Sequence, residues 1–121
     1  MTGKSGETGA GAGKGFTLNI PLPPGQTDAD YALALEQALR TVETRFRPEL
    51  ILVSAGFDAF YADSIAGMLL TEDGFYKLTE LVARFARRYT NGRIISFLEG
   101  GYHLQGLANS VHKHLQCLLK H

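Results

Sequence analysis

Leu50-Ile51-Leu52-Val53-Ser54-Ala55-Gly56-Phe57-Asp58 is a short apolar run that halts at two small residues, an intervening glycine and an acid. Its aliphatic and β-branched content and its glycine boundary predict a strand over 50–54, buried on both faces. Asp58 then falls just past the strand's carboxyl end, where open α/β sheets bind ligands because the loops leave a crevice between helices. A carboxylate there is a candidate metal ligand or base, and equally an acid that caps a helix or closes a loop.

Downstream, Gly56 to Leu70 forms a long connection whose aromatics, Phe60 and Tyr61, argue that it is ordered. Asp63 within it is placed to cap or brace the loop. Thr71, followed by Glu72 and Asp73, opens a helix with acids at its positive end. Phe75, Leu78, Val82, Phe85 and Tyr89 mark its buried stripe, and Asn91-Gly92 supplies a left-handed stop. Ile94-Ile95-Ser96-Phe97-Leu98 predicts a second fully buried strand, which runs into Glu99-Gly100-Gly101-Tyr102-His103. A last helix carries Leu104, Leu107, Ala108, Val111, Leu115 and Leu118 on one face, while His112 and His114, two apart, cannot share one.

Upstream, Thr27 and Asp30 resemble a capping arrangement that starts a helix striped by Tyr31, Leu35, Ala38, Leu39, Val42 and Phe46. That helix should end before Pro48. Phe16-Thr17-Leu18-Asn19-Ile20 alternates apolar and polar, which predicts an edge strand closed by Pro21-Leu22-Pro23-Pro24-Gly25. Residues 1–15 are glycine-rich and read as a flexible loop or tail ahead of an α/β unit over 16–121. Gly3-Lys4-Ser5 and Gly13-Lys14-Gly15 hint at a phosphate loop, but neither completes that pattern or follows a strand.

The order strand, helix, strand, helix, strand, helix predicts an α/β fold: three βα units with right-handed crossovers, a short, mostly parallel sheet, and helices on both sides in a three-layer α-β-α arrangement. All three unusual loops, 21–25, 56–65 and 99–103, then fall at one carboxyl edge. At 121 residues, 45% hydrophobic and 20% charged, the chain has ordinary globular composition and suits one domain. Twelve basic residues balance twelve acidic ones, so no general attraction to nucleic acid or an anionic membrane is expected. A lone Cys117, read as packing, the lack of a membrane-length apolar run and the lack of a signal-like apolar segment fit a reducing, cytoplasmic setting. At the predicted edge, Asp58 offers a carboxylate and Tyr102 a phenol that could face a developing oxyanion. Gly100 and Gly101 would let a substrate approach the backbone, or simply make a tight turn.

The motifs Ser54-Ala55-Gly56-Phe57-Asp58-Ala59, Asp63, Leu70-Thr71 and Leu98-Glu99-Gly100-Gly101-Tyr102 resemble the C-terminal part of the histone deacetylase and acetylpolyamine amidohydrolase family. Thr2-Gly3, the Gly-x-Gly run before Phe16 and Leu18-Asn19-Ile20-Pro21-Leu22-Pro23 are similar to it in the same order, so the resemblance covers essentially the whole chain. It implies a partial arginase/deacetylase-like fold and a zinc-dependent hydrolysis of acetyl-lysine or acetylpolyamine amides. Asp58 would correspond to the third zinc ligand, and Tyr102 to the tyrosine that donates a hydrogen bond to the tetrahedral oxyanion. Gly100 and Gly101 would be the glycines beside that tyrosine, and Ile65 an apolar wall of the acyl-lysine tunnel.

The departures are equally informative. The family's Asp-x-His ligand pair and its tandem histidines do not occur in this sequence; the resemblance places them upstream of it. Phe60 stands where relatives have histidine or alanine, and His103 where asparagine is common. With one ligand in place of three, zinc is expected to bind weakly or not at all. The chain is therefore expected to be a piece of a deacetylase, inactive alone, or else a non-catalytic binding or oligomerisation module that keeps the deacetylase half-sheet. Cutting such a sheet leaves apolar strand edges open, so the expected partner is a second copy in a homodimer, or a complementary N-terminal deacetylase segment.

Overall fold

The computed structural model describes residues 2–121, and Met1 lies outside the described residues. It contains helix α1 (Asp28–Arg45), strand β1 (Ile51–Ala55), helix α2 (Glu72–Thr90), strand β2 (Ile94–Leu98) and helix α3 (Leu104–Lys120). β1 and β2 pair in parallel, with Ile51 opposite Ile94 and Ala55 opposite Leu98, joined by the α2 crossover. The α/β class, the parallel pairing and the order of these elements follow the sequence.

Helix boundaries rest on local chemistry. Asp30 Oδ2 accepts hydrogen bonds from the Thr27 amide at 2.9 Å and the Thr27 hydroxyl at 2.8 Å, closing the first turn of α1. Thr71 Oγ1 accepts from the Gly74 amide at 3.2 Å and donates to Asp28 Oδ2 at 2.6 Å, while the Thr71 amide reaches Asp28 Oδ1 at 2.8 Å. One acid at the start of α1 thus also serves the start of α2. Gly74 leaves the space that this carboxylate occupies. Asn91, at φ +53°, ends α2 in the left-handed region.

Four features differ from the sequence expectation. Residues 16–20 form no strand: the Thr17 amide bonds the Thr8 carbonyl at 3.2 Å, and Asn19 Nδ2 bonds the Lys4 carbonyl at 3.0 Å. The backbone that would pair in a sheet is occupied by the glycine-rich segment, so two βα units stand where three were expected. Phe16, 76% exposed, rests edge-on against Phe46 at a centroid distance of 6.4 Å. Second, helices cover the sheet on one face only, where its residues are half-buried. Val53, Ala55 and Ile94 join Leu35 of α1, Phe75 and Val82 of α2 and His114 and Leu118 of α3 around one cavity of about 240 Å³. Leu52, Ile95 and Phe97 on the opposite face remain 63%, 48% and 50% exposed. The expected second helical layer, and with it burial of both faces, is not formed among the described residues.

Third, α3 turns a different side inward. Its buried residues are Gly106, Ser110, His114 and Cys117, whereas Leu104 and Leu115 of the anticipated stripe are 81% and 51% exposed. Small and polar side chains let α3 approach close: a Cβ on Gly106 would collide with the Phe60 ring. Leu107, Val111 and Leu118 flank this seam and are half-buried. Fourth, the connection after β1 is itself core. Phe57, Phe60 and Leu70 are 3%, 3% and 0% exposed and pack with Phe75. The Tyr61 amide bonds the Leu70 carbonyl at 2.8 Å, and the Leu70 amide bonds the Ala59 carbonyl at 3.1 Å, so the loop closes on itself.

Candidate functional site at the carboxyl edge

The carboxyl ends of β1 and β2 are stitched together by backbone. The Glu99 amide donates to the Ala55 carbonyl at 2.9 Å, and the Phe57 amide to the Gly100 carbonyl at 2.8 Å. This extends strand-like pairing one step beyond the sheet and sets Asp58 beside the Gly100-Gly101-Tyr102 turn. A Cβ on Gly100 would lie 3.3 Å from the Asp58 carboxyl carbon, and one on Gly56 would lie 3.1 Å from Asp58 Oδ1. The half-buried carboxylate therefore sits in a gap kept by two glycines. Among the described residues no hydrogen bond uses that carboxylate, so it acts as neither helix cap nor loop brace. Tyr31 of α1 faces it: burial pushes the Tyr31 phenol up from its ordinary value, and the Asp58 charge adds to the shift.

Gly101 adopts φ +144°, a conformation that side chains resist, and a Cβ there would stand 2.6 Å from Leu107 Cδ1. The turn sends the Tyr102 amide inward to Asp63 Oδ2 at 2.8 Å and leaves the Tyr102 side chain 63% exposed. Asp63 Oδ1 accepts from the Ile65 amide at 2.9 Å, and Ile65 is 67% exposed. Thus Asp58, Gly100, Gly101, Tyr102 and Ile65 come to one edge, as the sequence predicts. The third loop, 21–25, meets the long connection just past Ile65. Gly25 bonds the Gly67 carbonyl at 2.8 Å and Leu69 bonds the Gln26 carbonyl at 2.9 Å, placing 21–25 beside the far end of the long connection.

Asp63 was legible in the sequence only as a loop brace; its reach to the Tyr102 amide, 39 residues on, was not. Its carboxyl is held below the ordinary carboxylate range, first by the Ile65 amide and then by the Tyr102 and His103 amides. His103 has a structural task as well: its Nδ1 accepts from the Gly106 amide at 3.0 Å, making it the N-cap of α3. Asparagine, the residue that the family resemblance implies here, is also a preferred N-cap, so either residue can serve this task. A buried network also escaped pattern reading. His114 Nδ1 lies 2.7 Å from Thr79 Oγ1 and its Nε2 2.8 Å from Ser96 Oγ, tying α3 to α2 and β2. Burial pushes this imidazole below its ordinary value. His112 stays exposed, so the two histidines do not converge.

For a metal, the chemistry of the donors decides the fit. Asp58 has a free, half-buried carboxylate at a gap and suits one ligand position. Among the described residues no three His, Cys, Asp or Glu side chains cluster to complete a set. No helix among them is long and apolar enough to cross a membrane.

Comparison with known proteins agrees with this architecture. A family model for the histone deacetylase domain matches residues 1–118. Histone deacetylase 14, chloroplastic, of Arabidopsis thaliana is 41% identical over 118 residues, covering 98% of this chain and 28% of that protein. Polyamine deacetylase HDAC10 of Homo sapiens is 44% identical over 112 residues, covering 92% of this chain and 16% of that protein. Among solved structures, the HDA15 HD domain superposes with a TM-score of 0.88 at 30% identity, covering 98% of this chain and 33% of that one. The histone deacetylase Clr3 superposes at 0.87 with 34% identity, covering 98% and 19%. The chain thus spans under a third of the length of the curated relatives it matches. Matched along nearly its whole length in both sequence and fold, it belongs to the histone deacetylase family.

Proposed function

We propose that this chain is the part of a zinc-dependent deacetylase that supplies one metal ligand and the oxyanion donor, and that alone it does not turn over. In this reading Asp58 is the ligand, Tyr102 donates its phenolic proton to the oxyanion of an acetyl-lysine or acetylpolyamine amide, and Ile65, Gly100 and Gly101 line the acyl chain's path. The carrying observation is the free Asp58 carboxylate held beside the Gly100-Gly101-Tyr102 turn by the Phe57 to Gly100 hydrogen bond. Bound zinc would supply Lewis-acid polarisation of the amide carbonyl. Asp58 alone would hold it weakly, because catalytic zinc sites use three protein ligands. The missing histidine base would by itself lower the rate about 10²- to 10⁴-fold. The purified chain, assayed on acetyl-lysine and acetylpolyamine substrates with added zinc, is expected to show no turnover above background. Chelator-sensitive hydrolysis that disappears in Tyr102→Phe would overturn this reading.

The second reading, a non-catalytic module that associates through its open sheet, is favoured by a different observation. The accessible surface is 7839 Å², against about 6,400 Å² expected for a compact chain of 13.2 kDa. The surplus is well above the ~800 Å² that one partner contributes to a standard interface. Leu52, Ile95 and Phe97 on the sheet and Leu104, Leu115 and Leu119 on α3 provide apolar area for it. The partner is a second copy in a homodimer, or a complementary N-terminal deacetylase segment that covers the same face. Light scattering behind a sizing column, down to low micromolar concentration, is expected to give a dimer mass that Phe97→Glu reduces. A monomer at every concentration, with cooperative unfolding, would reject self-association. The compartment assigned to this reading is the cytoplasm; the chloroplast named for two relatives belongs to those proteins.

A further inference from the structure

The loop after β1 and the loop after β2 arise 43 residues apart, yet one side chain holds both. Asp63 is 6% exposed and forms no ion pair among the described residues. Its two oxygens are divided between the loops, Oδ1 taking the Ile65 amide at 2.9 Å and Oδ2 the Tyr102 amide at 2.8 Å. The Asp63 amide itself donates to the Phe60 carbonyl at 2.9 Å, so the carboxylate projects from a turn anchored on a core aromatic. Across from it, Gly101 at φ +144° aims the Tyr102 amide at the carboxylate. A carboxylate satisfied by amides of two different loops is a clamp: neither loop can move away without leaving a buried charge short of a donor.

We infer that Asp63 is the positioning residue of this edge, coupling the Tyr102 turn to the Ile65 wall so that the two are held, and move, as one unit. The role rests on the reading of Tyr102 and Ile65 given above, but the coupling itself is a property of this chain. An acyl chain entering along Ile65 would meet a Tyr102 backbone whose place is set by the same carboxylate. Among the described residues no other side chain bonds both loops.

Nuclear magnetic resonance of the unmodified full chain gives the direct test, without any substrate or metal. Scalar couplings through the hydrogen bonds from the Asp63 carboxyl carbon are expected at both the Ile65 and Tyr102 nitrogens. Absence of the Tyr102 coupling would overturn the inference. Asp63→Asn keeps one acceptor and replaces the other with a donor, so it can retain one loop only. It is expected to cut amide-exchange protection at least tenfold at either Ile65 or Tyr102 while helix and strand amides keep theirs, and to shift the Tyr102 ring signals. Asp63→Ala should release both. Uniform loss of protection across the chain, with the Tyr102 ring signals unmoved, would mean a merely structural acid and would also overturn it. Because no readout is catalytic, a failed deacetylase reading would leave these couplings in place, whereas a failed clamp would remove them.

Discussion

Replacing Gly101 and Gly100 one at a time with alanine should produce very different losses of stability, although the two residues are adjacent and chemically identical. Gly101 sits at φ +144°, where an alanine would be held in a sparsely populated conformation at a cost of about 1–3 kcal/mol. Its new Cβ would also fall 2.6 Å from Leu107 Cδ1 and 3.3 Å from Phe57 Cβ. Leu107 packs on the Phe57, Phe60, Leu70 and Phe75 cluster, so its displacement adds overpacking of about 1 kcal/mol. The sum is about 2–4 kcal/mol, a large share of the ~5–15 kcal/mol that holds a typical domain together. Gly100 carries no unusual φ, and the nearest atoms its Cβ would meet are the Asp58 carboxyl carbon at 3.3 Å and its oxygens at 3.4 Å. That carboxylate is free to give, so Gly100→Ala should cost less than about 1 kcal/mol while displacing the proposed metal ligand. Urea denaturation followed by far-ultraviolet circular dichroism measures both. With a slope of about 1–3 kcal/mol per molar urea, Gly101→Ala should lower the midpoint by roughly a molar or more. Equal midpoints for the two variants, or a Gly101→Ala chain within about 0.5 kcal/mol of the parent, would refute the reasoning about this turn.

Two further outcomes follow from buried and capping polar groups. Burial depresses the His114 pKa in the folded chain, so the unfolded chain binds the proton more readily; His114's contribution is fully present above the unfolded value near 6.5 and declines as pH falls from there through the folded value. Denaturation at pH 7.5 and 5.5 should therefore show lower stability at the acid value, and His114→Gln should reduce that difference; an unchanged difference would remove His114 as its source. Thr71→Ala deletes the acceptor of the Gly74 amide and one partner of Asp28, and should cost about 1 kcal/mol, read as a lower urea midpoint without loss of helix content.

What the sequence disclosed and what it withheld divide along a physical line. Features governed by neighbours in the chain were legible: the Thr27 and Thr71 starts, the Asn91 stop, the runs at 51–55 and 94–98, and the placing of Asp58 and Tyr102 at one edge. Features governed by what lies on the far side of an element were not. Leu52, Ile95 and Phe97 read as buried because apolar strand runs usually are, yet no second layer among the described residues covers them. Alternation at 16–20 suggested a strand, but a strand needs a partner, and that backbone bonds the glycine-rich segment instead. On α3 the leucines outnumber the small residues, so periodicity gave a stripe offset from the buried seam: Leu107, Val111 and Leu118 flank it, while Gly106, Ser110, His114 and Cys117 face inward because α3 packs close to its neighbours.

These inward polar and small residues bear on how the half-site is held. Phe57 to Gly100, Glu99 to Ala55, Asp63 to Tyr102 and His103 to Gly106 are all bonds within this chain, and together they define the turn that presents Tyr102. His114 fastens α3 to β2 through Ser96 and to α2 through Thr79, so the helix that follows the turn is anchored independently of the open sheet face. Apart from Tyr61, Ile65, Leu98 and Tyr102 at this edge, exposed apolar surface lies on the outer sheet residues and on Leu104, Leu115 and Leu119. Association through that surface would therefore add neighbours without rebuilding the turn. On the proposed reading, a chain organised in this way would bring Asp58 and Tyr102 already positioned, and what a deacetylase site would still require from outside is donors and a base, not a new backbone arrangement at this edge.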